Sequence, residues 1–92
     1  MNLPRFSLGH VVSTPGALRS FTEAGNSPQE FLDRHVRGDW GDLSKEDRHE
    51  NEFSLTNDLR ILSAYQLRNG TKIWIITEAD RSSTCILLPE EY

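Results

Sequence analysis

Asn69-Gly70 stands between two apolar runs, residues 59–67 and 72–77, and no other short feature of the chain limits its fold as strongly. An Asn-Gly pair in that position is the strongest local signal for a tight β-hairpin, because both residues tolerate the positive φ of a two-residue turn. With Asn69 and Gly70 as the two turn residues, Tyr65 is expected opposite Trp74, Ala64 opposite Ile75 and Ser63 opposite Ile76. That register sets Ile61, Tyr65, Leu67, Trp74 and Ile76 on one face and Leu62, Ala64, Ile73 and Ile75 on the other. A hairpin apolar on both faces must be covered on both.

The rest of the chain supplies the cover. Residues 6–13 alternate loosely and end in Val11-Val12, which predicts a short strand. Thr14-Pro15 is a capping residue followed by a proline suited to the first helical turn, and Gly25 is a stop, so a helix is expected over 15–24. Ser27-Pro28-Gln29-Glu30 is a capping box that opens a second helix, with Phe31, Leu32, His35 and Val36 on its apolar face and Gly38 at its end. A third helix starts after Ser44, with acids in its first turn, where they favour the helix dipole. Its middle is polar all round, so only Leu43, Phe53 and Leu55 can tie it down, and it is expected on the surface. After the hairpin, a polar loop at 78–82 leads to a last strand over about 83–88, which Pro89 ends. The expected fold is α+β: a short N-terminal strand, two to three helices, then a three-stranded antiparallel β-meander. Three short helices cover one sheet face well and the other only partly. The N-terminal strand is therefore expected to fold over the second face, or that face serves a dimer or partner contact.

At 92 residues the chain has room for one core, and residues 1–92 read as a single domain. Its one cysteine, Cys85, lies in an apolar run, so no intrachain disulfide forms and a buried thiol in a reducing, cytoplasmic setting is expected. No segment approaches the ~18 apolar residues of a membrane span, and residues 1–6 lack the apolar run of a signal peptide.

Fourteen acids against ten bases give a formal net charge of −4, and the surplus is local. Residues 39–58 hold Asp39, Asp42, Glu46, Asp47, Glu50, Glu52 and Asp58 against Lys45 and Arg48, while the other bases are dispersed among acids. No basic run exists that would supply duplex nucleic-acid affinity. Two readings of the acidic window follow. Asp39, Trp40, Asp42, Glu46, Asp47 and Glu50 can form an acidic interaction surface with an aromatic anchor, able to steer onto a basic partner. Alternatively His35, Arg37, Asp39, Trp40 and Asp42 can converge at a helix end as a pocket for a small ligand or for acid–base chemistry. Against the second stands the ordinary fate of a histidine beside apolar positions, a buried structural role, and of Trp40 as a plug over the core. Arg81 with Ser82, Ser83 and Thr84 forms either an anion site or an ordinary hairpin loop. There is no metal-ligand spacing, nucleophile elbow or phosphate-cradling loop, so no catalytic residues, metal or cofactor are expected.

The stretches 35–43, 60–65 and 72–81, with the closing Ile86-Leu87-Leu88-Pro89-Glu90-Glu91-Tyr92, resemble a family of small bacterial proteins carried by plasmids and integrative elements. Some members bear an automatic label as a type I restriction endonuclease M subunit. That label implies DNA methylation, which needs a methyl-donor domain and an N/D-P-P-Y/F motif; the chain has neither. The resemblance implies instead an accessory protein of a mobile genetic element. The expected function is non-enzymatic binding of a host or element-encoded protein through the acidic surface, as an inhibitor or modulator of a defence system (anti-CRISPR or anti-restriction) or of a nucleic-acid-handling complex. The alternatives are a small enzyme or ligand-binding protein using His35, Asp39, Trp40 and Asp42, and a structural homodimer joined through the spare sheet face.

Overall fold

The computed structural model describes residues 3–92. Its elements run β1 (His10–Ser13), α1 (Pro15–Ala24), α2 (Pro28–Val36), α3 (Lys45–Asn57), β2 (Ile61–Gln66), β3 (Lys72–Thr77) and β4 (Ser83–Leu87), followed by a 3-10 turn over Pro89–Glu91. The helix starts follow the capping chemistry. Thr14 accepts from the Ala17 amide, Ser27 and Glu30 close a capping box, and Ser44 accepts from the Asp47 amide. No helix among the described residues is long and apolar enough to cross a membrane.

The α+β class is as expected, but the sheet has four strands in the order β1-β4-β3-β2, with β1 parallel to β4 and the other pairs antiparallel. The N-terminal strand thus pairs at the sheet edge and does not fold over the second face. Main-chain bonds explain the difference: β4 would otherwise end the sheet, and β1 satisfies its groups through contacts such as His10 N–H to the Ser82 carbonyl at 2.9 Å.

The hairpin register also differs by one residue. Ala64 faces Trp74 and Tyr65 faces Ile73. The turn is a three-residue loop, Arg68, Asn69 and Gly70: the Gly70 amide donates to the Leu67 carbonyl at 2.9 Å and the Leu67 amide to Thr71 at 2.8 Å. Gly70 alone takes positive φ, +87°, which closes a type I turn with a left-handed residue rather than a two-residue turn with two of them. Because strand faces alternate, the shift exchanges the whole of β3 between faces. Ile73 and Ile75 join Ile61, Tyr65 and Leu67 in the core, and Trp74 and Ile76 pass to the other side with Leu62 and Ala64.

Helices α1 and α2 cover the core face with Ala17, Phe21, Phe31 and Leu32, which pack on Tyr65, Leu67, Ile73, Ile75 and Ile86. The Phe31 ring lies 5.9 Å from Phe21 and 5.3 Å from Tyr65, centroid to centroid. On the second face the C-terminal tail returns: Tyr92 meets Trp74 edge to face at 5.6 Å, and Arg60 reaches across to the Tyr92 hydroxyl and to Glu78. The outer edge of β2 is closed by other means. Asn51 of α3 donates to the Leu62 carbonyl at 2.7 Å and accepts from its amide, and the Ala64 backbone bonds the Trp40 carbonyl and the Asp42 amide. Gly41, at φ +76°, lets that segment approach so closely that a Cβ there would collide with the Ala64 carbonyl and the Tyr65 ring. Helix α3 is therefore tied down by Asn51 and Ser54, its buried residues, and not by Phe53, which is 56% exposed.

Candidate functional site

His35 sits at the centre of the molecule with no solvent-exposed surface. Its ring joins Ser63 through Nδ1 and Thr77 through Nε2 at 2.9 Å, Thr77 Oγ1 meets Thr84 Oγ1 at 2.7 Å, and the Thr84 hydroxyl donates to the Leu8 carbonyl at 2.7 Å. The terminal carbonyl can only accept, and this fixes each proton from Leu8 back to His35 Nε2. Thr84 donates to Leu8, Thr77 donates to Thr84, and His35 donates from Nε2 to Thr77. Burial pushes the imidazole pKa down to about 3, so the ring is neutral and its Nδ1 accepts from the Ser63 hydroxyl.

The pocket expected from His35, Arg37, Asp39, Trp40 and Asp42 is therefore not assembled. The His35 nitrogens are both taken by hydroxyls, Asp39 pairs with Arg34 at 2.7 Å, and Arg37 is exposed. Trp40 is 4% exposed, stacks on Phe6 at 6.2 Å and donates from Nε1 to Glu52 at 3.1 Å. Arg5 grips the same Glu52 through two bonds and holds its carboxyl below the usual range. Trp40 is a core plug, so the acidic surface has no anchor at that position. Among the described residues, no group of three or more His, Cys, Asp or Glu side chains could hold a metal ion.

Arg81 is not left to bind an anion. Its guanidinium donates to the carbonyls of Ser54, Leu59, Glu78 and Ala79, so it fastens the end of α3 to the β3–β4 loop.

The acidic residues and the spare sheet face meet elsewhere. A groove of about 740 Å³ runs between α3 and the second face. Leu62, Ala64 and Trp74 line its sheet side, and Asp42, Asp47 and Glu50 line its helix side, with Arg60 also at its margin. A smaller depression of about 270 Å³ shares Asp42, Ala64 and Trp74 and extends towards Lys72 and Pro89. The three ion pairs among the described residues are Arg5–Glu52, Arg34–Asp39 and Arg60–Glu78, so Asp42, Glu46, Asp47 and Glu50 enter none of them. Glu46 is exposed but does not line the groove.

Of the six expected surface residues, the structure thus gathers Asp42, Asp47 and Glu50, and the aromatic residue beside them is Trp74. Trp74 escapes the sequence reading because the expected register turns it to the Tyr65 side of the sheet. Asn51 escapes because a helix without an apolar face offers no periodicity to mark its inner side; a buried amide bonding an edge strand is the missing signal. Compared with protein-family models, curated proteins and solved structures, the chain gives no match.

Proposed function

We propose that this chain is a non-enzymatic protein-binding accessory protein whose groove between α3 and the sheet receives a basic segment with an apolar anchor. One observation carries the reading: Asp42, Asp47 and Glu50, in no ion pair, flank an apolar floor of Leu62, Ala64 and Trp74. An apolar side chain seated on Trp74 supplies contact area, while Lys or Arg on either side of it meets the carboxylates. Free carboxylates also repel phosphate, which disfavours nucleic acid as the direct occupant.

The resemblance to proteins of plasmids and integrative elements supplies the setting. In it, the protein acts in the cytoplasm on a host or element-encoded complex, as an inhibitor or modulator of defence (anti-CRISPR or anti-restriction) or of nucleic-acid handling. Such complexes hold basic surfaces for phosphate, and an acidic groove competes for them.

The test is titration of a fluorescent peptide that alternates Arg and Leu, read by anisotropy and by the Trp emission. Binding that weakens with salt, and by about 10-fold or more in Glu50→Lys, supports the reading. No binding, or equal binding by Glu50→Lys and Trp74→Ala, overturns it.

A further inference from the structure

The two edges of the sheet are finished differently. On β2, Asn51 and the Trp40–Asp42 segment take the outward-facing groups of Leu62 and Ala64. On β1, the amides of His10 and Thr14 turn to the carbonyls of Ser82, just before β4, and Ile86 within it, so the strand alternation points the N–H and C=O groups of Val11 and Ser13 away from the sheet. No backbone or side-chain group among the described residues bonds to them. Val11 and Val12 are 40% and 44% exposed. Natural edges are guarded by charge, proline or a bulge. Here a chain that is 26% charged has no Lys, Arg, Asp or Glu between Arg5 and Arg19, and β1 itself reads His-Val-Val-Ser.

We propose that β1 is a homodimerisation edge, which pairs antiparallel with β1 of a second copy to form one continuous eight-stranded sheet. The capped β2 edge decides the partner geometry. A head-to-tail contact, β1 on β2, is blocked by Asn51 and Gly41, so two copies can join through the sheet only as β1 on β1, around a two-fold axis that closes at the dimer and cannot grow into a fibre. The sequence suits that axis. With Val12 opposite Val12 of the second copy, Val11 and Ser13 of each chain exchange N–H···O=C bonds with Ser13 and Val11 of the other, and the pair on the axis is apolar and uncharged. The two α3 grooves then lie at the far ends of the joined sheet, facing no part of the dimer contact.

Sedimentation of the full chain over about 10 µM to about 1 mM tests this. The mass is expected to rise from that of the 10.5 kDa chain to twice that value. Val12→Lys places like charges across the axis at a position already exposed, and is expected to stay monomeric with unchanged circular dichroism. Hydrogen exchange on the unaltered protein gives an independent reading, with the Val11 and Ser13 amides slowed about 10-fold or more in the concentrated sample. A chain that is monomeric throughout, a Val12→Lys chain that dimerises like the parent, or a dimer in which those two amides exchange as in the monomer each overturns the proposal.

Discussion

Acid should unfold this protein earlier than its carboxylates alone would require, because of His35. The ring is neutral in the fold, donates at Nε2 and accepts at Nδ1. A second proton would place an uncompensated charge in the core. Burial holds the folded pKa at about 3, against about 6.5 for an unfolded histidine. As pH falls below about 6.5 the unfolded chain takes up the proton first, so stability is fully present above that value and drains away toward pH 3. The slope is about 1.4 kcal/mol per pH unit, or about 2 kcal/mol between pH 6.5 and pH 5. For a chain of this size, whose total stability is of order 5–15 kcal/mol, that is a melting point lower by roughly 10 °C.

Urea unfolding followed by Trp fluorescence at several pH values from 7.5 to 5 measures the slope. The carboxylates that the fold holds low, among them Asp39, Glu52 and Glu91, act in the same direction but only as pH approaches about 4, which leaves the upper window to His35. His35→Gln keeps a donor and an acceptor for the two hydroxyls but cannot titrate, so its stability should be flat across that window even if it is lower overall. Stability of the unaltered protein that does not change between pH 7 and pH 5, or an equal slope in His35→Gln, would refute the neutral, buried state of His35.

Three further outcomes follow from the edge and the helix that guards it. Asn51→Ala leaves the Leu62 amide and carbonyl unpaired at the β2 edge and should cost about 1–3 kcal/mol in urea unfolding, with faster exchange of the Leu62 amide. Gly41→Ala drives a methyl group into the Ala64 carbonyl and also strains a positive φ, so it should lose about 2 kcal/mol or more and expose the same edge to exchange. Phe53→Ser should change stability by no more than about 0.5 kcal/mol, because that ring is exposed, although the sequence marks it as an anchor of α3.

Local chemistry explains which parts of the fold were legible. Each helix start is written in residues adjacent to it: Thr14-Pro15, the Ser27–Glu30 box and Ser44 all cap as their side chains dictate. The partner of β1 is written nowhere near β1, since β4 lies about seventy residues on and parallel pairing leaves no turn to read. The inner side of α3 was hidden for a related reason. Its contacts are the Asn51 bonds to Leu62 and the Arg81 bond to the Ser54 carbonyl and not an apolar stripe, so the pattern that reveals most buried helix faces is absent.

The hairpin carries the largest consequence, and it turns on one residue. Had Asn69 also taken a positive φ, Tyr65 would face Trp74, and the indole would lie in the core. Gly70 alone in that region adds a residue to the loop, and every β3 side chain changes face. Trp74 then comes out beside α3, where Asp42, Asp47 and Glu50 already stand, while Trp40 is sealed inside by Phe6 and Glu52. Turn chemistry thus selects which of the two tryptophans the acidic segment can use. This makes a sharp comparison available: Trp74→Ala should abolish the response to the Arg/Leu peptide while retaining most of the fold's stability, since the ring is only half-buried. Trp40→Ala should do the reverse, losing about 3–5 kcal/mol of stability with no direct loss of a groove contact. If the peptide response survives in Trp74→Ala, the groove is not the binding surface.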